Sequence, residues 1–125
     1  MHELSIAMSV VEIAEGESVK RGGAKILAVY LKLGELSGVV KDALLSSYEM
    51  ACEGTVLQGS RLVIEELRVV VNCPKCLAPR TLASAQRFLC PECQSPVTDV
   101  IQGRELHVAA VEIETAELEG LEVSS

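Results

Sequence analysis

Two short motifs face each other across the middle of the chain, Cys73-Pro74-Lys75-Cys76 and Cys90-Pro91-Glu92-Cys93, separated by residues 77–89. Four soft thiolates offered by two paired turns suit a tetrahedral sulfur site, the arrangement Zn²⁺ prefers. Proline after the first cysteine of each pair fixes φ, which lowers the entropy lost on closing the turn. Backbone amides of such a turn can also donate hydrogen bonds to sulfur. With four protein ligands no position is left for water, so the expected ion is structural rather than catalytic. Iron in a rubredoxin-like site would use the same ligands, and two redox disulfides or four unliganded thiols are the remaining readings of the spacing. Turns of this kind often carry glycine just after the second cysteine, where φ is positive. Leu77 and Gln94 stand there instead, which predicts backbone strain or a different turn.

The start of the chain, Met1-His2-Glu3, offers a second kind of chemistry. A free α-amine with a pKa near ~8 is partly neutral at physiological pH, and the imidazole of residue 2 can reach the same ion. Backbone nitrogens of His2 and Glu3 could complete a plane on losing their protons. Square-planar nitrogen ligation suits Ni²⁺ or Cu²⁺ and not Zn²⁺. Because several protons must leave, such binding weakens in mild acid. Glu3 would supply an outer carboxylate or favour a helix start through the dipole. The ordinary reading of His2 alone is a solvated side chain. His107 reads as a strand-edge residue and Cys52, the fifth cysteine, as a small buried hydrophobe.

Composition narrows the field. Apolar residues make up 49% of the 125 residues, enough for a core, yet Tyr30, Tyr48 and Phe88 are the only aromatics, leaving little for a base-stacking platform. A net charge of −7 argues against general affinity for nucleic acid or anionic lipid. The acidic, amphipathic opening lacks the positive region of a signal peptide, and no apolar run approaches the ~20 residues needed to cross a bilayer. These features predict a cytoplasmic protein whose cysteines stay reduced. No Ser-His-Asp set, phosphate-binding loop or open metal site is visible, so no enzyme activity is expected.

The elements that must position these groups follow from periodicity. Residues 2–20 read as an amphipathic helix with Leu4, Ala7, Met8, Val11 and Ala14 on one stripe, Ile6, Val10 and Ile13 beside it, and Gly22-Gly23 as its stop. Residues 25–35 alternate as a strand apolar enough on both faces to be central. Residues 39–52 return to helical spacing, with Val40, Leu44, Tyr48 and Ala51 on one face, Ser37 as N-cap and Gly54 as end. Leu62–Val71 reads as one β-branched run, and residues 104–114 alternate as a further strand, with Val111 and Ile113 opposite Glu112 and Glu114. The cysteine module therefore interrupts a main lobe rather than following it, and Thr115–Ser125 reads as an acidic tail.

Taken together, Met1-His2-Glu3-Leu4-Ser5, Gly34-Glu35-Leu36, Cys52-Glu53-Gly54-Thr55, Glu65-Glu66, the two cysteine pairs and Val111-Glu112-Ile113-Glu114 resemble the HypA/HybF family of hydrogenase nickel-insertion accessory proteins, over residues 1–114. The resemblance implies an α+β fold, two helices packed on a three-stranded sheet with an inserted zinc-ribbon lobe. It divides the chain into a discontinuous nickel-binding lobe (1–71 and 102–114), a zinc-binding lobe (72–101) and the tail (115–125). By the same resemblance His2 is the nickel ligand, assisted by the Met1 amine and Glu3, and Cys73, Cys76, Cys90 and Cys93 hold structural Zn²⁺. It implies a nickel metallochaperone that works with a HypB-type GTPase, serves the large subunit of [NiFe]-hydrogenase and in some bacteria urease, and belongs to a family with both monomers and homodimers. Asn72 departs from the acidic residue many relatives carry before the first cysteine. The alternative is a zinc-ribbon interaction module, which explains the cysteines and leaves His2 without a role.

Overall fold

Helix α1 (Glu3–Lys20) opens the part of the chain described by this computed structural model, residues 3–114. Its buried face is Ala7, Val10, Val11, Ala14 and Ser18, spaced at three and four residues as a core-facing helix requires. Leu4 and Met8, expected on that face, are 43% and 59% exposed. The face is rotated so that small Ala7 and Ala14 allow close packing and Val10 joins them, while the longer side chains stay outside. Two backbone bonds close the helix: Gly23 N–H donates to Ser18 O at 2.8 Å and Gly22 N–H to Val19 O at 3.2 Å. With both glycines at positive φ this is a Schellman ending, as the Gly-Gly pair predicts.

Strand β1 (Ile26–Gly34) follows, then a short 3₁₀ turn (Glu35–Ser37) and helix α2 (Lys41–Cys52). The N-cap of α2 is Val40, which makes no side-chain cap bond, and the expected cap Ser37 instead closes the 3₁₀ turn. Left-handed Gly38 turns the chain between them. A carboxylate from elsewhere serves the helix start: Glu3 Oε2 accepts the Val40 N–H at 3.1 Å. This satisfies one of the orphan amides of α2 and places negative charge at the positive end of its dipole. The inward face of α2 is Leu44, Tyr48 and Cys52, with Val40 exposed rather than on the face.

Strands β2 (Arg61–Leu67) and β6 (Leu106–Ile113) flank β1, giving the order β2-β1-β6. The central position expected of β1 is thus the observed one, and Ile26, Ala28, Val29, Leu31 and Leu33 are all buried. The run 62–71 does not form one strand. It ends at Leu67 and restarts as β3 (Val70–Cys73) in a second sheet, ordered β4-β3-β5 with β4 at Ala78–Thr81 and β5 at Asp99–Gln102. Contacts that periodicity cannot show cause the switch. Val69 is fully buried, its N–H donates to Glu35 Oε1 at 3.0 Å, and its carbonyl accepts the Leu82 N–H at 2.9 Å.

Two compact units result, one of residues 3–31, 39–63 and 108–114, the other of 32–38 and 64–107. The second is broader than the 72–101 expected for a cysteine lobe, because it includes Gly34-Glu35-Leu36 and the ends of β1 and β2. In the first unit α1 packs on α2. In the second, Val69, Val71, Cys73, Leu82, Cys90 and Val97 form the core, with Leu36 packed against it. Gly34 is required by a close approach: a Cβ there would lie 2.1 Å from the Gly103 carbonyl oxygen. That carbonyl accepts the Leu36 N–H at 2.7 Å. The tail 115–125 lies outside the described residues. Among the described residues no helix is long and apolar enough to cross a membrane.

Candidate metal centre

The second unit brings the four cysteines together through two hairpins. Strands β3 and β4 pair from Val70↔Thr81 to Cys73↔Ala78, so residues 74–77 form the loop that holds the first cysteine pair. The second pair sits in a smaller hairpin closed by the bridge Leu89↔Pro96 and by Cys90 N–H donating to Ser95 O at 2.9 Å. Both loops repeat one bond: Leu77 N–H to Cys73 O at 2.8 Å and Gln94 N–H to Cys90 O at 2.9 Å. At Leu77 and Gln94 φ is 56° and 64°, the left-handed conformation for which glycine is favoured. The strain expected from the missing glycines is therefore present, and the turn keeps its shape.

The sulfurs are spaced as a tetrahedral ion would hold them. Cys73 Sγ and Cys93 Sγ lie 3.6 Å apart, Cys76 Sγ and Cys90 Sγ 3.8 Å, and the four ligand atoms lie within 4.8 Å of one another. A tetrahedron with Zn–S distances of ~2.3 Å has edges of about 3.8 Å, which the Cys73–Cys93 and Cys76–Cys90 sulfur pairs already match. Cys73 and Cys90 are fully buried, which suits a closed structural site. Cys76 N–H donates to Cys73 Sγ at 3.4 Å, the amide-to-sulfur bond that orients a ligand.

Charge is unevenly spread over the four thiols. The Ser95 hydroxyl and then its backbone N–H pull Cys93 down to about 6. The backbone N–H of Cys93 is the main cause of a lowered Cys90. Burial pushes Cys76 up to about 12, helped by Cys93 and Cys90, while Arg80 opposes the rise. An arriving cation therefore meets ionised sulfur on one side and must displace a proton on the other, so binding releases protons and is disfavoured by acid. Sequence reasoning missed two contributors, Ser95 and Arg80. Serine two residues beyond Cys93 was a readable signal, whereas Arg80 becomes a neighbour of Cys76 only once β3 and β4 pair.

The first unit carries the other candidate groups. Met1 and His2 lie outside the described residues. Glu3 opens α1 with its carboxylate on the Val40 amide. His107 is exposed in β6, as expected of an edge residue. Cys52 is 3% exposed, and its sulfur lies 3.8 Å from Ser60 Oγ, which also shares a 2.7 Å bond with Tyr48 Oη. Burial raises both Cys52 and Tyr48 above their ordinary values, so this cluster is neutral packing rather than a nucleophile.

Two helices, two three-stranded sheets and a cluster of four cysteines define an α+β protein with a candidate metal site. The family described as "Hydrogenase/urease nickel incorporation, metallochaperone, hypA" matches residues 1–113, and the chain belongs to it. A hydrogenase maturation factor HypA from Chloroflexus aurantiacus is 48% identical over 112 residues, covering 90% of this chain and 98% of that protein. Among solved structures, a solution structure of HypA protein aligns with a TM-score of 0.67 at 27% identity, over 91% of this chain and 97% of that one. The Ni metallochaperone HypA from Helicobacter pylori gives 0.61 at 25% identity, over 90% and 97%. The α+β architecture and the nickel-incorporation family expected from the sequence are thus the observed ones.

Proposed function

We propose that the chain is a nickel metallochaperone that binds Ni²⁺ at its N-terminus, through the His2 imidazole and the Met1 amine, and passes it on for [NiFe]-hydrogenase maturation. The single observation that carries this reading is the match of a nickel-incorporation family from residue 1 to residue 113. Amine, imidazole and deprotonated amides form the planar nitrogen set that suits Ni²⁺. A ligand set at a chain end dissociates one donor at a time, which suits cargo that must leave. Glu3 is the weaker contributor to the nickel shell. Its carboxylate is already engaged by the Val40 amide.

Structural Zn²⁺ is assigned to Cys73, Cys76, Cys90 and Cys93, on the strength of the sulfur spacing. When bound, the ion supplies a fixed cross-link between two hairpins. The proposed zinc lobe, 72–101, lies inside the second unit, and the proposed nickel lobe, 1–71 with 102–114, contains the first and the flanks of the second. A HypB-type GTPase and the hydrogenase large subunit are the proposed partners, with urease as a second recipient, in the cytoplasm. We assign the chain no catalytic step, because delivery requires only ligand exchange toward a better donor set.

Titration of untagged protein with Ni²⁺ tests the reading. Wild type is expected to take up one equivalent and His2→Ala to lose it, with zinc content unchanged in both. Equal nickel uptake by the two proteins contradicts the assignment.

A further inference from the structure

On strand β4, burial alternates: Ala78 and Arg80 are half-buried, Pro79 and Thr81 exposed. Arg80 pairs with Val71 and Ala78 with Cys73, and residues directly opposite on neighbouring strands project to the same face. Val71 and Cys73 are both fully buried members of the core around the sulfurs. Arg80 is therefore a cation on the core-facing side of its sheet. Its Nε is buried and has no hydrogen-bond partner, alone in this among the described residues. One terminal nitrogen donates to the neighbouring Pro79 carbonyl, at 3.5 Å, and the guanidinium lies beside the Cys76 thiol.

A buried N–H left unpaired costs about 1–3 kcal/mol, more on a charged group. An arginine can escape that cost by turning outward on its long stem. Its retention on the inner face calls for an acceptor there. A divalent cation held by four thiolates has a net charge of −2, and the thiolate of Cys76 is the half-buried ligand on the β3–β4 loop, four residues before Arg80. Lys75 and Arg87, the nearby cations in sequence, are exposed and cannot offer a desolvated donor.

Resting on the zinc assignment above, we propose that Arg80 is a positioning residue of the four-cysteine centre. Its Nε–H donates to the Cys76 thiolate when the ion is bound, and its charge offsets part of the excess negative charge of the thiolates. The consequence is slow exchange of the ion. An arginine meets this need better than a lysine, because its planar donors are held in fixed directions and its charge is more weakly hydrated.

The test uses the full-length chain loaded with Zn²⁺ or with Co²⁺, in wild-type, Arg80→Gln and Arg80→Lys forms. Zinc transfer to excess 4-(2-pyridylazo)resorcinol at fixed pH is expected to be about tenfold faster in Arg80→Gln, in the range seen when groups that orient metal ligands are removed. Arg80→Lys, which keeps the charge, should fall between. The sulfur-to-cobalt charge-transfer band is expected to move to lower energy in Arg80→Gln, because a thiolate that loses a hydrogen bond donates more readily. A purely structural role would leave that band in place. Should Arg80→Gln not fold, Arg80→Lys carries the test, with faster transfer and a shifted band expected. Wild-type transfer rates and an unmoved band in the folded variants overturn the role of Arg80 alone. Absence of thiolate charge-transfer bands in the wild-type cobalt form overturns the four-cysteine assignment itself, and this inference with it.

Discussion

The two units of this chain solve one problem differently. The first buries aliphatic faces from α1, α2 and β1, with Ser18 as the buried polar residue on α1, its hydroxyl donating to the Ala24 carbonyl. The second has a core of six fully buried residues, two of which are the proposed ligands Cys73 and Cys90. Removing ordinary apolar contacts weakens the first by degrees. Loss of the proposed ion from the second would unlink its two cysteine hairpins and leave four thiols with no common partner. A short segment can thus hold a fixed shape without a large apolar interior, at the cost of depending on one ion.

Cys90→Ser should sharpen this contrast most. Structural zinc sites of this type contribute roughly 10 kcal/mol or more of binding free energy, so the variant is expected to lose zinc and the order of the second unit. Amide spectra of Leu44 and Tyr48 should stay close to wild type while those of Val71 and Val97 collapse. Loss of both sets together would break the contrast. Gly34→Ala ranks next. Its Cβ would meet the Gly103 carbonyl at 2.1 Å, a backbone clash that no side-chain movement relieves. A loss of about 3 kcal/mol or more is expected in urea unfolding of the zinc-loaded protein.

A pH dependence should set the first unit apart. Cys52 and Tyr48 are held above their ordinary values by burial, so the folded state resists their ionisation. That stability is complete below the unfolded thiol value of 9.0 and is lost as pH rises toward the folded values. Unfolding midpoints are expected to fall from pH 8 to pH 11 by a smaller amount in Tyr48→Phe. An equal fall in the variant would show that the loss arises elsewhere. Leu77→Gly is the smallest effect. Leu77 is 86% exposed, so little packing is lost, and its φ of 56° is relieved. Left-handed strain of ~1 kcal/mol, partly cancelled by the freer unfolded chain, leaves a net gain near ~0.5 kcal/mol, readable as a higher unfolding midpoint.

Much of this was legible in the sequence where a single residue type dictates the outcome. Two cysteine pairs with proline predict four sulfurs at one point, which is where they lie, and Gly22-Gly23 can end a helix in few ways. The alternation of residues 26–33, apolar on both faces, placed β1 at the centre of its sheet. What escaped depended on partners distant in the chain. The run 62–71 has uninterrupted strand character, and its division between two sheets follows from Glu35 holding the Val69 amide. The sequence offers Ser37 as the cap of α2, and a carboxylate from residue 3 serves it instead. Met8 and Val10 are both plausible members of an apolar stripe, and only the surface that α1 meets decides between them. Arg80 reads as an ordinary strand cation until its neighbour Val71 is known to face the sulfurs.

X-ray absorption at the nickel and zinc edges of one preparation with a native N-terminus tests the central claim most directly. The expected result is four sulfur neighbours at ~2.3 Å around zinc and a nitrogen/oxygen shell without sulfur around nickel. Sulfur at the nickel edge, or nickel displacing zinc from the cysteines, would contradict the separation of a resident ion from a carried one.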